Sequence, residues 1–355
     1  MIAFMTQPTK PLEPRHQQLL NWLQPWLCRN LQSLSQVAGD ASFRRYYRLH
    51  ASENTQGSDL IVMDAPPEKE SSDAFLQLAK LWHQEGIAVP RVLASSVEQG
   101  FALLEDFGDR QLTQQVAHQT PEEADPFYRQ ALKQLAELQA AGHSQTNPLP
   151  GYNAPLLNRE IALFDDWLLD DFLQFNSHER PDRWKAFQQE LVEQALIQPK
   201  TRVHRDYHSR NLMVTTSQKL GILDFQDAVQ GPLTYDAVSL IRDCYLAWPQ
   251  SWQQTWLEYF YDLTQPPVTL NEYRHWFDWM GMQRHLKAAG IFARLWLRDG
   301  KVGYLYDLPR TLDHLILTLQ NYPDWTDIHH WLSQEVQPQL LKQLQSLKDT
   351  PKQDD

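Results

Sequence analysis

Two short apolar runs, Leu212 to Val214 and Leu220 to Leu223, stand on either side of the polar turn TTSQK and read as a β-hairpin. Its ends make it constraining. His204, Arg205, Asp206 and Asn211 lie just before the hairpin, and Asp224 just after it. Singly, Asp206 and Asp224 read as turn caps and His204 as a satisfied core histidine. Together, at the offsets H-R-D-x-x-x-x-N and L-D-F, they read as one site presented on a rigid platform.

The sequence on either side of this run changes character. Upstream, a short helix is expected from about Arg15 to Asn30, with Leu19, Leu20, Leu23, Trp26 and Leu27 on one side. GDASFRRYYRL follows as a hairpin with a tight loop, and LIVMDAPP as a buried strand stopped by two prolines. SSDAFLQLAKLWHQEG reads as a helix capped near Ser71 or Ser72, and VPRVLASSVEQGFALLEDFGD as a second hairpin turning near Gln99 and Gly100. Beyond Asp109 the period becomes helical: TPEEADPFYRQALKQLAELQAAG, REIALFDDWLLDDFLQF, QRHLKAAGIFARLWLRD, PRTLDHLILTLQ and a final polar helix. VHRDYHSRNLMVTTSQKLGILDFQD is the one clear β interruption.

A chain of 355 residues has room for two lobes with separate cores. The expectation is an α+β protein: a small mixed, β-rich N-lobe over 15–107, a larger and mainly helical C-lobe over 108–347, and frayed ends at 1–14 and 348–355. The formal charge of -12 opposes broad adhesion to nucleic acid or to anionic lipid. The only cysteines, Cys28 and Cys244, are too far apart in sequence to suggest a disulfide framework or a paired-cysteine zinc site. With no signal peptide and no apolar stretch near the ~20 residues of a membrane span, a cytoplasmic protein is expected.

Residue types at these offsets suit phosphoryl transfer, which needs an acceptor hydroxyl held in line and charge neutralised on phosphate oxygens. Asp206 would accept or orient the acceptor's proton, while Asn211 and Asp224 would offer hard oxygen ligands to Mg²⁺. VHRDYHSRN and LDFQDAVQGPLTYDAVSL resemble the catalytic and metal segments of the aminoglycoside phosphotransferase superfamily, from about Val37 to Leu319. That resemblance implies a bilobal protein-kinase-like fold and ATP with Mg²⁺ as cofactors. It also implies that Tyr235 and Asp236 brace the active-site loops. GDASFRRYYRL, IVMDAPPEKE, LLEDFGD and QRHLKAAGIFARL are similar to the superfamily's anomeric amino-sugar kinases. These would phosphorylate the C1 hydroxyl of N-acetylmuramate or N-acetylglucosamine in peptidoglycan recycling. An anomeric hydroxyl is more acidic than an ordinary alcohol, so a single aspartate suffices as base or orienter.

By the same resemblance Ser42, Phe43 and Arg44 would meet the nucleotide, and Glu105 to Phe107 would form a hinge with backbone facing adenine. The usual strand lysine is missing: Met63 or Asp64 stands in its place, so Lys69, Arg44 or Arg45 must take over phosphate contact, Arg44 being favoured for its planar guanidinium. Gln226 replaces the glycine of D-F-G. Sugar-site candidates are Glu160, Asp165, His208, Arg284 and Arg294, with His285 beside them. Each charged one also reads as a solvated helix face or a structural ion pair. Trp248, Trp252 and Trp256, at four-residue spacing, read as helix packing. Two rival functions remain: another small-molecule hydroxyl kinase of the superfamily, or a nucleotide-binding pseudokinase. A monomer binding a small sugar and ATP, and neither nucleic acid nor membrane, is expected.

Overall fold

Alternation in Arg45–Leu49 and Leu60–Asp64 sorts one sheet face from the other and shows how the N-terminal helix is used. A computed structural model of the chain describes residues 13–31, 33–37, 43–69, 71–141 and 149–349. Helix α1 (Pro14–Leu23) carries proline in its first turn, where a missing N–H costs nothing, and runs on into a 3₁₀ turn at Gln24–Trp26. Its Leu19 and Leu23 pack on Tyr47, Leu49, Leu60, Val62, Phe101 and Leu103, all from the same sheet face. The strands are β1 (Ser35–Gln36), β2 (Arg45–Leu49), β3 (Leu60–Asp64), β4 (Val92–Ser96) and β5 (Phe101–Glu105). They form one antiparallel sheet in the order β1-β2-β3-β5-β4. Helix α2 (Asp73–Gln84) follows β3 and ends ahead of Gly86, whose φ of 83° suits glycine. The turn into β5 needs glycine for another reason: a Cβ on Gly100 would lie 1.9 Å from the Ala65 carbonyl oxygen.

The second unit is helical around a small β insert. The chain divides into Met1–Gly108 and Asp109–Asp355. Helices α3 (Leu112–Val116), α4 (Pro121–Ala140), α5 (Ala154–Leu163) and α6 (Trp184–Leu196) precede the insert. Strands β6 (Lys200–Val203), β7 (Leu212–Val214), β8 (Leu220–Ile222) and β9 (Val229–Pro232) compose it, and α7 (Tyr235–Ile241), α8 (Gln250–Thr264), α9 (Leu270–Asp299), α10 (Leu308–Leu319), α11 (Thr326–Trp331) and α12 (Gln337–Asp349) follow. Strands β7 and β8 are the expected hairpin, with Leu212 opposite Ile222 and Val214 opposite Leu220. A second pair, β6 with β9, was not anticipated and closes the base of the insert, with Val203 opposite Val229. Thr120 and Glu123 make a reciprocal capping box on α4, as its sequence predicts.

Two further differences are physical. REIALFDDWLLDDFLQF is helical, but from Phe164 to Phe172 its turns widen to the π form. The widening starts where α9 comes close: a Cβ on Gly290 would stand 2.3 Å from the Leu163 carbonyl group and 2.6 Å from the Phe164 nitrogen. The late helix is also much longer than the segment read from sequence, because α9 runs unbroken from Leu270 and buries most of its middle. Trp256 is buried and stacks on Tyr128 at 4.0 Å, with Trp248 and Trp252 edge-on or tilted beside it, so these three rings pack helices. The expected frayed ends fall at 1–12 and 350–355 outside the described residues, whereas Pro14 and Lys348 are helical. Among the described residues no helix is long and apolar enough to cross a membrane.

Gly290→Ala should therefore lower the free energy of unfolding by about 1–3 kcal/mol through overpacking against backbone that has no rotamer to yield, read from urea denaturation. An unchanged midpoint would show that α5 and α9 tolerate a wider separation.

Candidate active site

The loop between β6 and β7 is held from outside at two points. The Asp236 carboxylate, in the first turn of α7, accepts the backbone N–H of His204 at 2.6 Å and of Arg205 at 3.0 Å. Arg205 has φ 76°, a left-handed conformation costly for a residue with a side chain, and these bonds pin it there. Just past the other end of α7, Asp243 accepts the Ser209 N–H at 2.9 Å and the Tyr245 N–H at 2.8 Å. Burial pushes the Asp236 carboxyl up to about 7 against the pull of its two backbone donors. His204 supplies an internal strut: Nδ1 accepts the Asp206 N–H at 3.2 Å, which leaves the proton on Nε2 to be donated to the Leu223 carbonyl at 2.9 Å. Burial lowers its pKa to about 4, so the ring is neutral.

The strut brings together the residues that the spacing singled out. The Asp206 carbonyl accepts the His208 N–H at 3.0 Å and Asn211 Nδ2 at 3.0 Å. Asn211 has thus spent its side-chain nitrogen on the loop, and its backbone carbonyl accepts the Leu223 N–H at 2.9 Å, tying it to the residue before Asp224. Asp224 has φ 63°, and its Oδ1 accepts Gln226 Nε2 at 2.7 Å. Gln226, in the glycine position of D-F-G, therefore orients the carboxylate. Among the described residues no cluster of three or more His, Cys, Asp or Glu could hold a metal by itself. One carboxylate and one amide oxygen instead fit a hard cation such as Mg²⁺, which takes few protein ligands and completes its shell with phosphate and water.

Beneath the loop lies a buried ionic group. Arg205 donates to Glu160 Oε1, Lys287 Nζ stands 3.4 Å from the same oxygen, and Tyr152 donates its hydroxyl proton to Oε2. Lys287 also donates to the Tyr235 hydroxyl at 2.9 Å. Burial works to raise the Glu160 carboxyl, but Lys287 and Arg205 outweigh it and leave Glu160 ionised below its ordinary range. Asp206 feels the same cations. Burial favours its neutral form, yet the Lys287 ammonium, foremost among its neighbours, holds it at about 2. Among the described residues nothing hydrogen-bonds to the Asp206 carboxylate oxygens. A half-buried, ionised carboxylate with open lone pairs can accept a hydroxyl proton.

The other sequence candidates separate. Arg284 is buried, donates to Cys244 Sγ at 3.4 Å and has Asp243 and Asp206 as charge neighbours. His208 is buried against Tyr245, ring centroids 5.0 Å apart, and burial lowers its pKa. Glu160 belongs to the ionic group. Asp165 is elsewhere: it accepts Trp184 Nε1 at 2.9 Å, Lys185 Nζ at 3.1 Å and Gln188 Nε2 at 3.0 Å, and so fastens the π-helical segment to α6. Arg294 lies further along α9 with Arg298 and Asp299 as charged neighbours. His285 donates from Nε2 to the Arg242 carbonyl at 2.9 Å and stacks on His314. Sequence reading missed Asp243 and Lys287; the acidic residue seven after Asp236 and the lysine three after Arg284 were the available signals.

In the first unit, Ser42 lies outside the described residues. Phe43 is exposed, with Lys69 Nζ 5.1 Å from its ring centroid. Arg44 is buried with its guanidinium over Phe75 of α2. Alternation places Asp64 with Leu60 and Val62 on the face covered by α1, where Arg15 donates to its Oδ1 from Nε at 2.9 Å and from Nη2 at 2.6 Å. Met63 points to the opposite face. Arg45 shares the α1 face, 3.6 Å from Glu13. Glu105 Oε2 accepts the Arg91 N–H at 3.3 Å, Arg48 pairs with Asp106 at 2.5 Å, and Phe107 is half-buried.

Residues 33–276 match the model of the phosphotransferase enzyme family. An N-acetylmuramate/N-acetylglucosamine kinase of Neisseria meningitidis is 36% identical over 92% of this chain and 98% of its own length. Another of that name, from Pseudomonas aeruginosa, is 39% identical over 84% of this chain and 87% of its own. Among solved structures, an ethanolamine kinase of Plasmodium vivax superposes with a TM-score of 0.58 at 10% identity, covering 85% of this chain and 94% of the other. A spectinomycin phosphotransferase in complex with ADP and spectinomycin gives 0.55 at 14%, over 88% and 100%. These two establish the protein-kinase-like fold.

His204 provides a pH test. Its folded pKa of about 4 lies below the unfolded value, so its contribution to stability is full above pH 6.5 and is lost as pH falls toward 4. The loss amounts to about 3 kcal/mol over that window. His204→Gln should flatten the acid slope of the urea-unfolding free energy relative to the parent chain; parallel slopes would mean that His204 is not held neutral.

Proposed function

We propose, from the premise that this chain belongs to the phosphotransferase enzyme family, that it is an ATP-dependent kinase phosphorylating the anomeric C1 hydroxyl of N-acetylmuramate and N-acetylglucosamine. The observation that carries the reading is the open, ionised Asp206 carboxylate, beside Asn211 in the same loop and Asp224 past the hairpin, each already oriented, by Asp206 and Gln226 respectively. A regulatory pseudokinase has no use for all three. The sugar 1-phosphate would serve peptidoglycan recycling, and the enzyme would act as a cytoplasmic monomer.

In this reading the C1 hydroxyl donates a hydrogen bond to Asp206. The C1 oxygen bonds to the γ-phosphorus while the bond to the β,γ-bridging oxygen breaks, and ADP leaves. The hydroxyl proton passes to Asp206 and then to solvent. A carboxylate held at about 2 is a weak base, so the proton moves late, once the oxygen has begun to bond to phosphorus. Asp206 thus orients first and accepts second, and the acidity of an anomeric hydroxyl makes that sufficient. Asn211 Oδ1 and the Asp224 carboxylate would hold Mg²⁺, which neutralises phosphate charge when bound. Phe43, Arg44, Glu105 and Phe107 are assigned to nucleotide contact. Arg44 is favoured over Arg45 for the phosphates, because Arg45 shares the α1 face while Arg44 lies over Phe75.

Three comparisons test this. Turnover of the free sugars should vanish with their methyl glycosides, in which C1 is blocked; turnover of a methyl glycoside would move the reaction to another hydroxyl. Asp206→Asn should lower kcat by about 10²- to 10⁴-fold with ATP affinity little changed, and unaltered turnover would remove Asp206 from the reaction. Asp224→Ala should raise the Mg²⁺ concentration needed for half-maximal rate; an unmoved metal titration would exclude it as a ligand.

A further inference from the structure

N-acetylmuramate differs from N-acetylglucosamine by a lactyl ether ending in a carboxylate, and a chain of net charge -12 must offer that anion a local positive site. The arginines suggested by sequence do not supply it. Arg284 is 5% exposed and engaged with Cys244 and Asp243, and the charged neighbours of Arg294 are Arg298 and Asp299.

Arg210 does. It sits four residues after Asp206 and directly before Asn211, on a stretch of loop fixed by the Ser209 N–H bond to Asp243 and by the hydrogen bond shared between the Ser209 and Thr113 hydroxyls at 2.7 Å. Its guanidinium lies over the Tyr245 ring, 3.6 Å from the centroid, with the Tyr304 ring at 5.6 Å. One Nη donates to Asp307 Oδ2 at 3.2 Å, and the other Asp307 oxygen receives Arg310 at 3.4 Å. Two guanidiniums therefore share one carboxylate. Asp243, the other acidic group nearby, has both oxygens on backbone N–H groups. Arg210 thus spends a single Nη on a carboxylate that it shares, and among the described residues the rest of its planar fork, on a side chain 36% exposed, is held by stacking before any ligand arrives.

We propose that Arg210 binds the lactyl carboxylate and so sets the enzyme's preference for N-acetylmuramate over N-acetylglucosamine. This rests on the reading of the chain as a kinase of these two sugars. Arg210 is a specificity residue here, distinct from the base and from the metal ligands.

The test is kcat/KM for both sugars in the parent chain, Arg210→Gln and Arg210→Lys. Arg210→Gln should lower kcat/KM for N-acetylmuramate about 10- to 100-fold, mainly through KM, the range of a lost charge-assisted pair, and for N-acetylglucosamine by no more than about threefold. Arg210→Lys keeps the charge but not the fork and should recover part of the loss. An equal fall on both sugars, a fall confined to kcat with a raised KM for ATP, or no fall on either would overturn the proposal, as would a parent chain that phosphorylates only N-acetylglucosamine. If the parent chain phosphorylates neither sugar, the functional reading itself has failed, a result distinct from all of these.

Discussion

The second unit's chemistry hangs on one carboxylate receiving two backbone N–H groups. Without Asp236, no side chain holds the Arg205 backbone N–H in its left-handed conformation, and Arg205 is the turn on which Asp206 is presented. The cost is a buried acid whose ionisation burial opposes, repaid by two donors in a place no water reaches. Asp236 is in turn placed by α7, whose neighbouring Tyr235 receives Lys287 from α9. The longest helix among the described residues thus reaches the loop between β6 and β7 through Lys287 and Tyr235, and the close backbone approach at Gly290 fixes how that helix lies.

The buried group of Glu160, Arg205 and Lys287 adds little to stability, since ion pairs taken out of water seldom gain what desolvation costs. Its value lies in field and position. Glu160 accepts both cations and keeps them charged, and the Lys287 ammonium then holds Asp206 ionised in spite of burial. A charged side chain fixed before the substrate arrives needs no reorganisation when the hydroxyl oxygen starts to bond to phosphorus.

The hairpin of β7 and β8 was legible because apolar runs, a polar turn and acids at fixed offsets coincide in one short stretch. The β6 and β9 strands were not: KTRV and VQGP are four residues each, carry a proline or charges, and pair only because α7 and the loop bring them together. Periodicity found the helix from Arg159 but not its π widening, which answers to tertiary pressure from α9. Nor could sequence tell which of Met63 and Asp64 shares the sheet face that α1 covers. The ion pair with Arg15, forty-nine residues away, puts Asp64 there. Asp165 and Glu160 looked alike on one acidic helix, yet the α-to-π transition between them sends one to α6 and the other to Arg205 in the loop between β6 and β7.

The most direct test of the whole account is the position of the transferred phosphate. After incubation of N-acetylmuramate with ATP and Mg²⁺, proton-coupled ³¹P NMR of the product should show phosphorus coupled to the anomeric proton at C1. Phosphorus coupled to the C6 methylene protons, or transferred phosphorus appearing only as inorganic phosphate, would contradict it.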